Sequence, residues 1–202
     1  MPQTLKQRLI NKEPLVGTFV KTPSPIICEV LSQTKLDLIC LDAEHAPFDR
    51  NSLDTCIAVT RLSKMSSLVR VPSANPEHLL NALDCGATGV LVPHVKSAHQ
   101  ADLIGQHCHF GAGGRGYAGS TRAANFGGKS IPAHVDDSAK ETTVIAQIED
   151  LEALDEIDEI AQVSNIDCLF VGRIDLTVAL GADSPADARV VAAVDTICQS
   201  AL

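Results

Sequence analysis

Residues 36–46, Leu-Asp-Leu-Ile-Cys-Leu-Asp-Ala-Glu-His-Ala, join an apolar run directly to a group of charged side chains. The run is nearly continuous in Leu, Ile and Cys, which is typical of a strand buried on both faces of a parallel sheet. Comparable runs recur along the chain and predict six strands. They lie at Leu15–Val20, Leu36–Asp42, Ser67–Val71, Thr88–Pro93, Thr143–Glu149 and Ile166–Gly172.

The segments between these runs have apolar residues at helical spacing and predict helices. The clearest are Pro25–Leu31, Ser52–Leu62, Asn75–Gly86 and Glu152–Gln162. Strands that alternate with helices predict a parallel α/β fold, either an open sheet or a barrel. Residues 109–141 are rich in Gly, Ala, Asn and Ser, and we expect a long irregular segment there. No linker or shift in composition divides the chain, so we predict one domain over 1–202.

The composition excludes several classes of protein. A net charge of −9 and an aromatic content of 3% argue against a nucleic-acid binder. No apolar run approaches the roughly 20 residues that span a bilayer, and the N-terminus lacks a signal-peptide pattern, so we expect no membrane contact. The seven cysteines are scattered singly, which indicates reduced thiols in a cytoplasmic protein.

Polar side chains follow almost every predicted strand at its carboxyl end. Because the carboxyl ends of parallel strands form the ligand crevice of such folds, this pattern predicts a binding or active site there. The side chains concerned are Asp42, Glu44, His45, Arg70, His94, Gln147, Glu149, Asp150, Arg173 and Asp175.

Three of these positions suggest particular chemistry, and each leaves an alternative open. Glu149 and Asp175 suit a hard cation such as Mg²⁺ or Mn²⁺, but their spacing alone favours the alternative, solvated acids or helix caps. His45 beside two acids suits proton abstraction, or a local hydrogen bond. Arg70 ends an apolar strand, where it is either paired structurally or directed at an anionic oxygen.

Eight motifs occur together in a specific order along the whole chain. They are Val16–Phe19, Asp42–Pro47, Val69–Pro72, Leu83–Ala87, Val90–Pro93, Gly114–Gly116, Gln147–Glu149 and Gly172–Leu176. In this order and spacing the chain resembles the HpcH/HpaI aldolase family, the metal-dependent class II pyruvate aldolases. The resemblance implies a TIM (βα)₈ barrel of the phosphoenolpyruvate/pyruvate type. Since only six strands are predicted, we expect a barrel lacking its last two strands, as in an incomplete record of a longer chain.

The resemblance also implies an activity: reversible cleavage of a 4-hydroxy-2-oxo acid to pyruvate and an aldehyde through a pyruvate enolate, in aromatic or sugar-acid catabolism. It implies a divalent cation, Mg²⁺, Mn²⁺ or Co²⁺, on Glu149 and Asp175. His45 corresponds to the catalytic base, Arg70 to the transition-state arginine, and Asp84, with Asp42 nearby, to the acid that raises the basicity of the histidine. Gln147, the backbone of Gly172 and Ile174, and Asp175 correspond to the substrate site.

The partners implied are an oxo acid, an aldehyde and further copies of the chain, which the family assembles as a hexamer built from three dimers. We expect the loop around Arg115–Arg122 to border the acceptor pocket, although Arg122 suits a subunit interface equally well. Two alternatives remain at this stage. One is citrate-synthase-like or citryl/malyl-CoA-lyase-like chemistry in the same superfamily, and the other is a non-catalytic truncated barrel.

Overall fold

The computed structural model describes residues 3–202; Met1 and Pro2 of the predicted domain lie outside the described residues. Six parallel strands form one curled sheet in the order of the sequence, β1 to β6. Their bounds are Gly17–Val20, Leu38–Asp42, Ser66–Arg70, Gly89–Val92, Thr143–Ile148 and Cys168–Val171. All six predicted strands are therefore confirmed, and no end differs from its prediction by more than two residues.

Helices lie before the first strand, between successive strands and after the last strand. In chain order, α1 to α10 are Leu5–Ile10, Pro25–Ser32, Arg50–Leu62, Pro76–Asp84, Ala98–Cys108, Ile131–Glu141, Glu152–Asp155, Ile157–Ala161, Arg173–Ala179 and Ala188–Ser200.

Two helix predictions need correction. The segment 109–141 is not irregular throughout, because α6 occupies its last third, and the Ser130 side chain caps that helix by accepting from the Ala133 N–H. The predicted helix Glu152–Gln162 is divided at Glu156, whose φ of −118° and ψ of 19° separate α7 from α8.

The two faces of the sheet have different neighbours because successive side chains of a strand point to opposite sides. Ile39 and Leu41 of β2 belong to the large core shared with the helices. Cys40, between them, belongs to a smaller cluster on the inner face, which Leu5 of α1 also joins. Asp42 comes two residues after Cys40 and therefore lies on the same inner face. The inner face is thus apolar along the strand and becomes polar where the strand ends.

Helix α4 connects β3 to the parallel strand β4, so it must run in the opposite direction to both. Asn75 caps its start by accepting from the Glu77 N–H, and Asp84 is its last residue. Eight residue steps at about 1.5 Å each separate Pro76 from Asp84 by roughly 12 Å along the helix axis. Asp84 therefore lies toward the edge where the strands begin.

Two further predictions from the composition concern the cysteines and membrane-spanning segments. Cys28, Cys40, Cys56, Cys85 and Cys108 are buried thiols, and all seven cysteines are free. Burial raises the pKa of the Cys40 thiol to about 12. Among residues 3–202, no helix combines the length and apolar character needed to cross a membrane.

Candidate active site

The carboxyl ends of β2 to β5 bring together most of the predicted site residues. Asp42 is paired in register with Arg70 on the neighbouring strand. Gln147 and Glu149 follow Ile145 at intervals of two residues, and Ile145 belongs to the smaller cluster on the inner face of the sheet. Both side chains therefore point to that inner face. Three of these four side chains are at most 3% exposed, and Arg70 is 8% exposed. These four side chains thus lie in a buried polar cluster at the carboxyl ends of the strands.

Arg70 is held by a two-point ion pair. Its Nε and Nη2 donate to Asp42 Oδ1 and Oδ2 at 2.9 and 2.6 Å, and its guanidinium lies 4.8 Å from the Phe19 ring centroid. Burial alone would raise the pKa of Asp42, but the hydrogen bonds from Arg70 and from the His45 backbone N–H outweigh it and lower that pKa. Asp42 therefore stays ionised and fixes the orientation of the guanidinium.

Glu44 and His45 extend the cluster beyond the end of β2. Glu44 Oε2 lies 3.3 Å from Arg70 Nε and 3.7 Å from His45 Nε2. Desolvation by burial is the main cause that raises the pKa of Glu44. The backbone N–H of His45 donates to Asp42 Oδ1 at 3.1 Å, while its side chain is 58% exposed. The backbone of His45 is thus anchored, and its imidazole is open to an incoming molecule.

Glu149 lies at the centre of the β5 end and is 3% exposed. Its Oε2 accepts a short hydrogen bond from the Gln147 amide, and Gln147 Oε1 is buried without a partner among the described residues. A Cβ on Gly172 would lie 2.6 Å from Glu149 Oε2, so only glycine fits between the carboxylate and the start of α9. Ile174 and Asp175 are exposed in the first turn of α9.

His94 and Asp150 are site residues to which the sequence assigned no role. Asp150 Oδ2 lies 2.9 Å from His94 Nδ1. Glu149 Oε1 lies 3.3 Å from the same nitrogen and also accepts from the His94 backbone N–H at 3.0 Å. Partial burial alone would lower the pKa of His94, but the hydrogen bond to Asp150 and the nearby carboxylates raise it. The strand-end pattern named both positions, but the direction of the His94 ring depends on its left-handed backbone, φ 55°, which the pattern does not encode.

The charges of the cluster are unevenly paired. Asp42 is matched by Arg70, and Asp150 Oδ1 lies 3.2 Å from Lys96 Nζ. Glu149, in contrast, has no lysine or arginine partner among the described residues and relies on neutral donors and the His94 ring. Ligand atoms of His94, Glu149 and Asp150 all lie within 4.8 Å of one another. A cation fits this donor set because it would balance the buried carboxylate.

Asp84 is not brought to this cluster within one chain. Its carboxylate accepts from Arg115 Nη2 at 2.5 Å, near the edge where the strands begin. Arg122, from the same loop as Arg115, donates to Asp54 of α3 at 2.6 Å. Within one chain, the loop that was expected to border the acceptor pocket is therefore paired with acids outside the strand-end cluster.

The arrangement combines groups that can act on a small polar molecule: an exposed imidazole, a fixed guanidinium, a buried amide and acids suited to a cation. Comparison with known proteins is consistent with such chemistry. The family model described as HpcH/HpaI aldolase/citrate lyase matches residues 15–201. Hydroxypyruvate/pyruvate aldolase of Paraburkholderia phytofirmans is 34% identical over 206 residues, an alignment that covers 95% of this chain and 78% of that protein.

Two solved structures have similar folds. A HpcH/HpaI aldolase/citrate lyase family protein from Burkholderia cenocepacia superposes with a TM-score of 0.91 at 31% identity, over 97% of this chain and 79% of that one. The citrate synthase SbnG superposes with a TM-score of 0.87 at 28% identity, over 98% of this chain and 77% of that one.

Proposed function

Because the chain belongs to the HpcH/HpaI aldolase/citrate lyase family, we propose that it is a metal-dependent pyruvate aldolase. It would cleave a 4-hydroxy-2-oxo acid to pyruvate and an aldehyde and catalyse the reverse condensation. The observation that carries this proposal is the buried cluster of Arg70, Gln147 and Glu149 beside the exposed imidazole of His45. We also propose that the six strands in sequential order are part of a (βα)₈ barrel.

Glu149 and Asp175 are the proposed cation ligands. The buried Glu149 carboxylate without a lysine or arginine partner among the described residues supports a cation at this place. Gly172 is in close contact with that carboxylate, and Asp175 lies in the first turn of the helix that begins after Gly172. A bound Mg²⁺ or Mn²⁺ would polarise the carbonyl group of the oxo acid as a Lewis acid. Gln147 and the backbone at Gly172 and Ile174 would orient the carboxylate of the oxo acid.

Proton transfer is assigned to His45, and charge stabilisation to Arg70. In the direction of synthesis, His45 removes a methyl proton of pyruvate, the resulting enolate carbon bonds to the aldehyde carbon, and His45 returns the proton to the aldehyde oxygen. In cleavage, His45 takes the proton of the 4-hydroxyl group, the bond between C3 and C4 breaks, and that proton passes to the methylene carbon of the enolate. The Arg70 guanidinium, already oriented by Asp42, stabilises the negative charge that develops on the enolate oxygen without reorganising. Aldehyde release then needs only that the acceptor side of the cluster be open.

Asp84 is proposed to act on His45 of a second copy of the chain. The family resemblance assigns Asp84 to the basicity of the histidine, whereas within one chain Asp84 lies near the opposite ends of the strands and pairs with Arg115. A homo-oligomer would reconcile both observations if the α4 end of one copy packs against the strand ends of another. The active site would then be shared between subunits.

A second candidate is citrate-synthase-like chemistry, which the structural similarity to SbnG supports. That reaction would use the same site with a different enolate donor and acceptor. Product analysis separates the two candidates: pyruvate with short aldehydes for an aldolase, and oxaloacetate with acetyl-CoA for a synthase. Condensation only of the second pair would replace the aldolase assignment.

The aldolase proposal is tested by exchange of the pyruvate methyl protons in D₂O, followed by ¹H NMR. We expect rapid exchange with Mg²⁺ or Mn²⁺, loss of exchange after chelation with EDTA, and a fall of at least 100-fold in His45→Ala. His99→Gln, which changes an exposed histidine on α5, is the matched control and should exchange normally. Exchange that persists after exhaustive chelation, or in His45→Ala, contradicts the mechanism.

A further inference from the structure

His94, Glu149 and Asp150 converge on one point at the ends of β4 and β5. His94 Nδ1 lies 2.9 Å from Asp150 Oδ2 and 3.3 Å from Glu149 Oε1. Neighbouring ligand atoms around an octahedral ion with bonds of about 2.1 Å lie about 3 Å apart. The separations in this cluster are therefore those of adjacent ligands, and only small side-chain movements would be needed to admit an ion.

The cluster is built from groups with different environments. Glu149 is 3% exposed and supplies a fixed carboxylate, whereas His94 is exposed at the mouth of the site. Asp150 Oδ1 is paired with Lys96, which leaves Oδ2 directed at the imidazole. Buried Gln147, whose amide donates to Glu149, retains an unpartnered Oε1 next to these groups.

We propose that His94 and Asp150 bind the divalent cation together with Glu149, so that this chain has a mixed nitrogen and oxygen metal site. The inference rests on the proposed metal-dependent function and extends the ligand set beyond Glu149 and Asp175. Mg²⁺ binds oxygen ligands almost exclusively, whereas imidazole nitrogen favours first-row transition metals. The site therefore prefers Co²⁺ or Mn²⁺ to Mg²⁺, and His94 is the residue that determines the preference.

The backbone at position 94 guides the choice of variants. His94 has a φ of 55°, a conformation that glycine and asparagine adopt readily. His94→Gly removes the imidazole without straining the chain, and His94→Asn replaces the nitrogen ligand by a hard carbonyl oxygen. Because the two side chains differ in size, the test can still be carried out with one variant if the other misfolds.

The experiment is calorimetric titration of untagged, metal-free protein with Co²⁺ and, separately, with Mg²⁺ at pH 8 without substrate. All proteins carry Cys198→Ser, because Cys198 is an exposed thiol that could bind Co²⁺ on its own. We expect the parent to bind Co²⁺ at least tenfold more tightly than Mg²⁺. His94→Gly should lose at least tenfold in Co²⁺ affinity and change Mg²⁺ affinity by less than threefold, while Asp150→Asn should weaken both.

Matched controls are His99→Gln on α5 and Glu152→Gln, which removes an exposed charge that forms an ion pair with Lys96. Both should leave Co²⁺ binding unchanged. Equal affinity of the parent for the two ions, or unchanged Co²⁺ affinity in both His94 variants, overturns this inference. If the parent exchanges pyruvate protons but gives either of these binding results, the proposed aldolase function stands and only the mixed metal site is refuted. If the parent exchanges no protons with any ion, the aldolase function is refuted, and the binding data still decide whether His94 is a ligand.

Discussion

Arg70 and Asp42 form a buried ion pair in which each charge is stabilised by the other. Burial alone would lower the pKa of Arg70, but the bonds to Asp42 raise it, so both groups remain charged inside the protein. Breaking such a pair by removing one partner leaves an uncompensated buried charge. The orientation of the guanidinium and part of the stability of the fold therefore come from the same contact.

Substitution of Asp42 by Asn tests this contact. We expect Asp42→Asn to lower the free energy of unfolding by about 3–5 kcal/mol at pH 7, because Arg70 loses the carboxylate that binds it at two points and keeps only Glu44 as an acidic neighbour among the described residues. Asp42 has a lowered pKa in the fold, so its contribution is fully present above the unfolded value of about 3.9 and is lost as the pH falls through the lower folded value. Urea unfolding from pH 3 to 8 should therefore show a constant difference above about pH 5 that shrinks below about pH 4.

The control for this prediction is Asp102→Asn, which changes an exposed acid on α5. It should unfold like the wild type at every pH. A difference between wild type and Asp42→Asn that does not change with pH would assign the loss to packing rather than to the ion pair.

Single residues differ in how far the sequence predicts them. Asp42, Arg70, Gln147 and Glu149 follow from the strand-end rule because the alternation along a strand also decides which face they occupy. His94 has the same kind of position, but its ring direction depends on one backbone torsion in the following loop. The sequence could therefore locate the edge of the site, but not the contacts made by loop residues.

The strands are the elements that the sequence predicts best, because each is a continuous apolar run. Helix α6 was missed since its buried side chains are His134 and Ser138, which give no apolar periodicity. The sequence does not predict the division between α7 and α8 because apolar residues continue across it, with Ala153 of α7 and Ile157 and Ile160 of α8 buried. The pattern of apolar residues therefore does not predict a helix whose buried side chains are polar, or a helix end that is set by the backbone torsion of one residue.

Strand β4 depends on a close approach to β5 at its first residue. A Cβ on Gly89 would lie 2.0 Å from the backbone oxygen of Thr143, its partner in register. We expect Gly89→Ala to separate the two strands locally and to lower the free energy of unfolding by about 1–3 kcal/mol or more. Urea denaturation measures this change in the free energy of unfolding. The control is Gly116→Ala, where a Cβ would meet nothing within 4 Å, and it should unfold at the wild-type midpoint.

At the scale of the whole molecule, the sheet has polar chemistry at the edge where its strands end and a second set of buried charges near the edge where they begin. His45 and Arg70 belong to the first set, and Asp84 with Arg115 belongs to the second. The family resemblance implies that His45 and Asp84 belong to one network, and within one chain Asp84 pairs with Arg115 instead. An isolated chain has both residues, but it does not join them.

A shared site predicts complementation between two inactive variants. His45→Ala lacks the base, and Asp84→Asn lacks the acid that supports it while keeping a similar shape beside Arg115. Each variant alone should lose at least 100-fold in pyruvate proton exchange. If the two chains are co-expressed and mix at random, about one quarter of the sites combine an intact His45 from one copy with an intact Asp84 from another, and that fraction of wild-type activity should return. A site built within one chain would restore none, because no chain in the mixture carries both residues. Sedimentation of each variant alone should show the wild-type assembly, which excludes loss of the oligomer as the cause of inactivity.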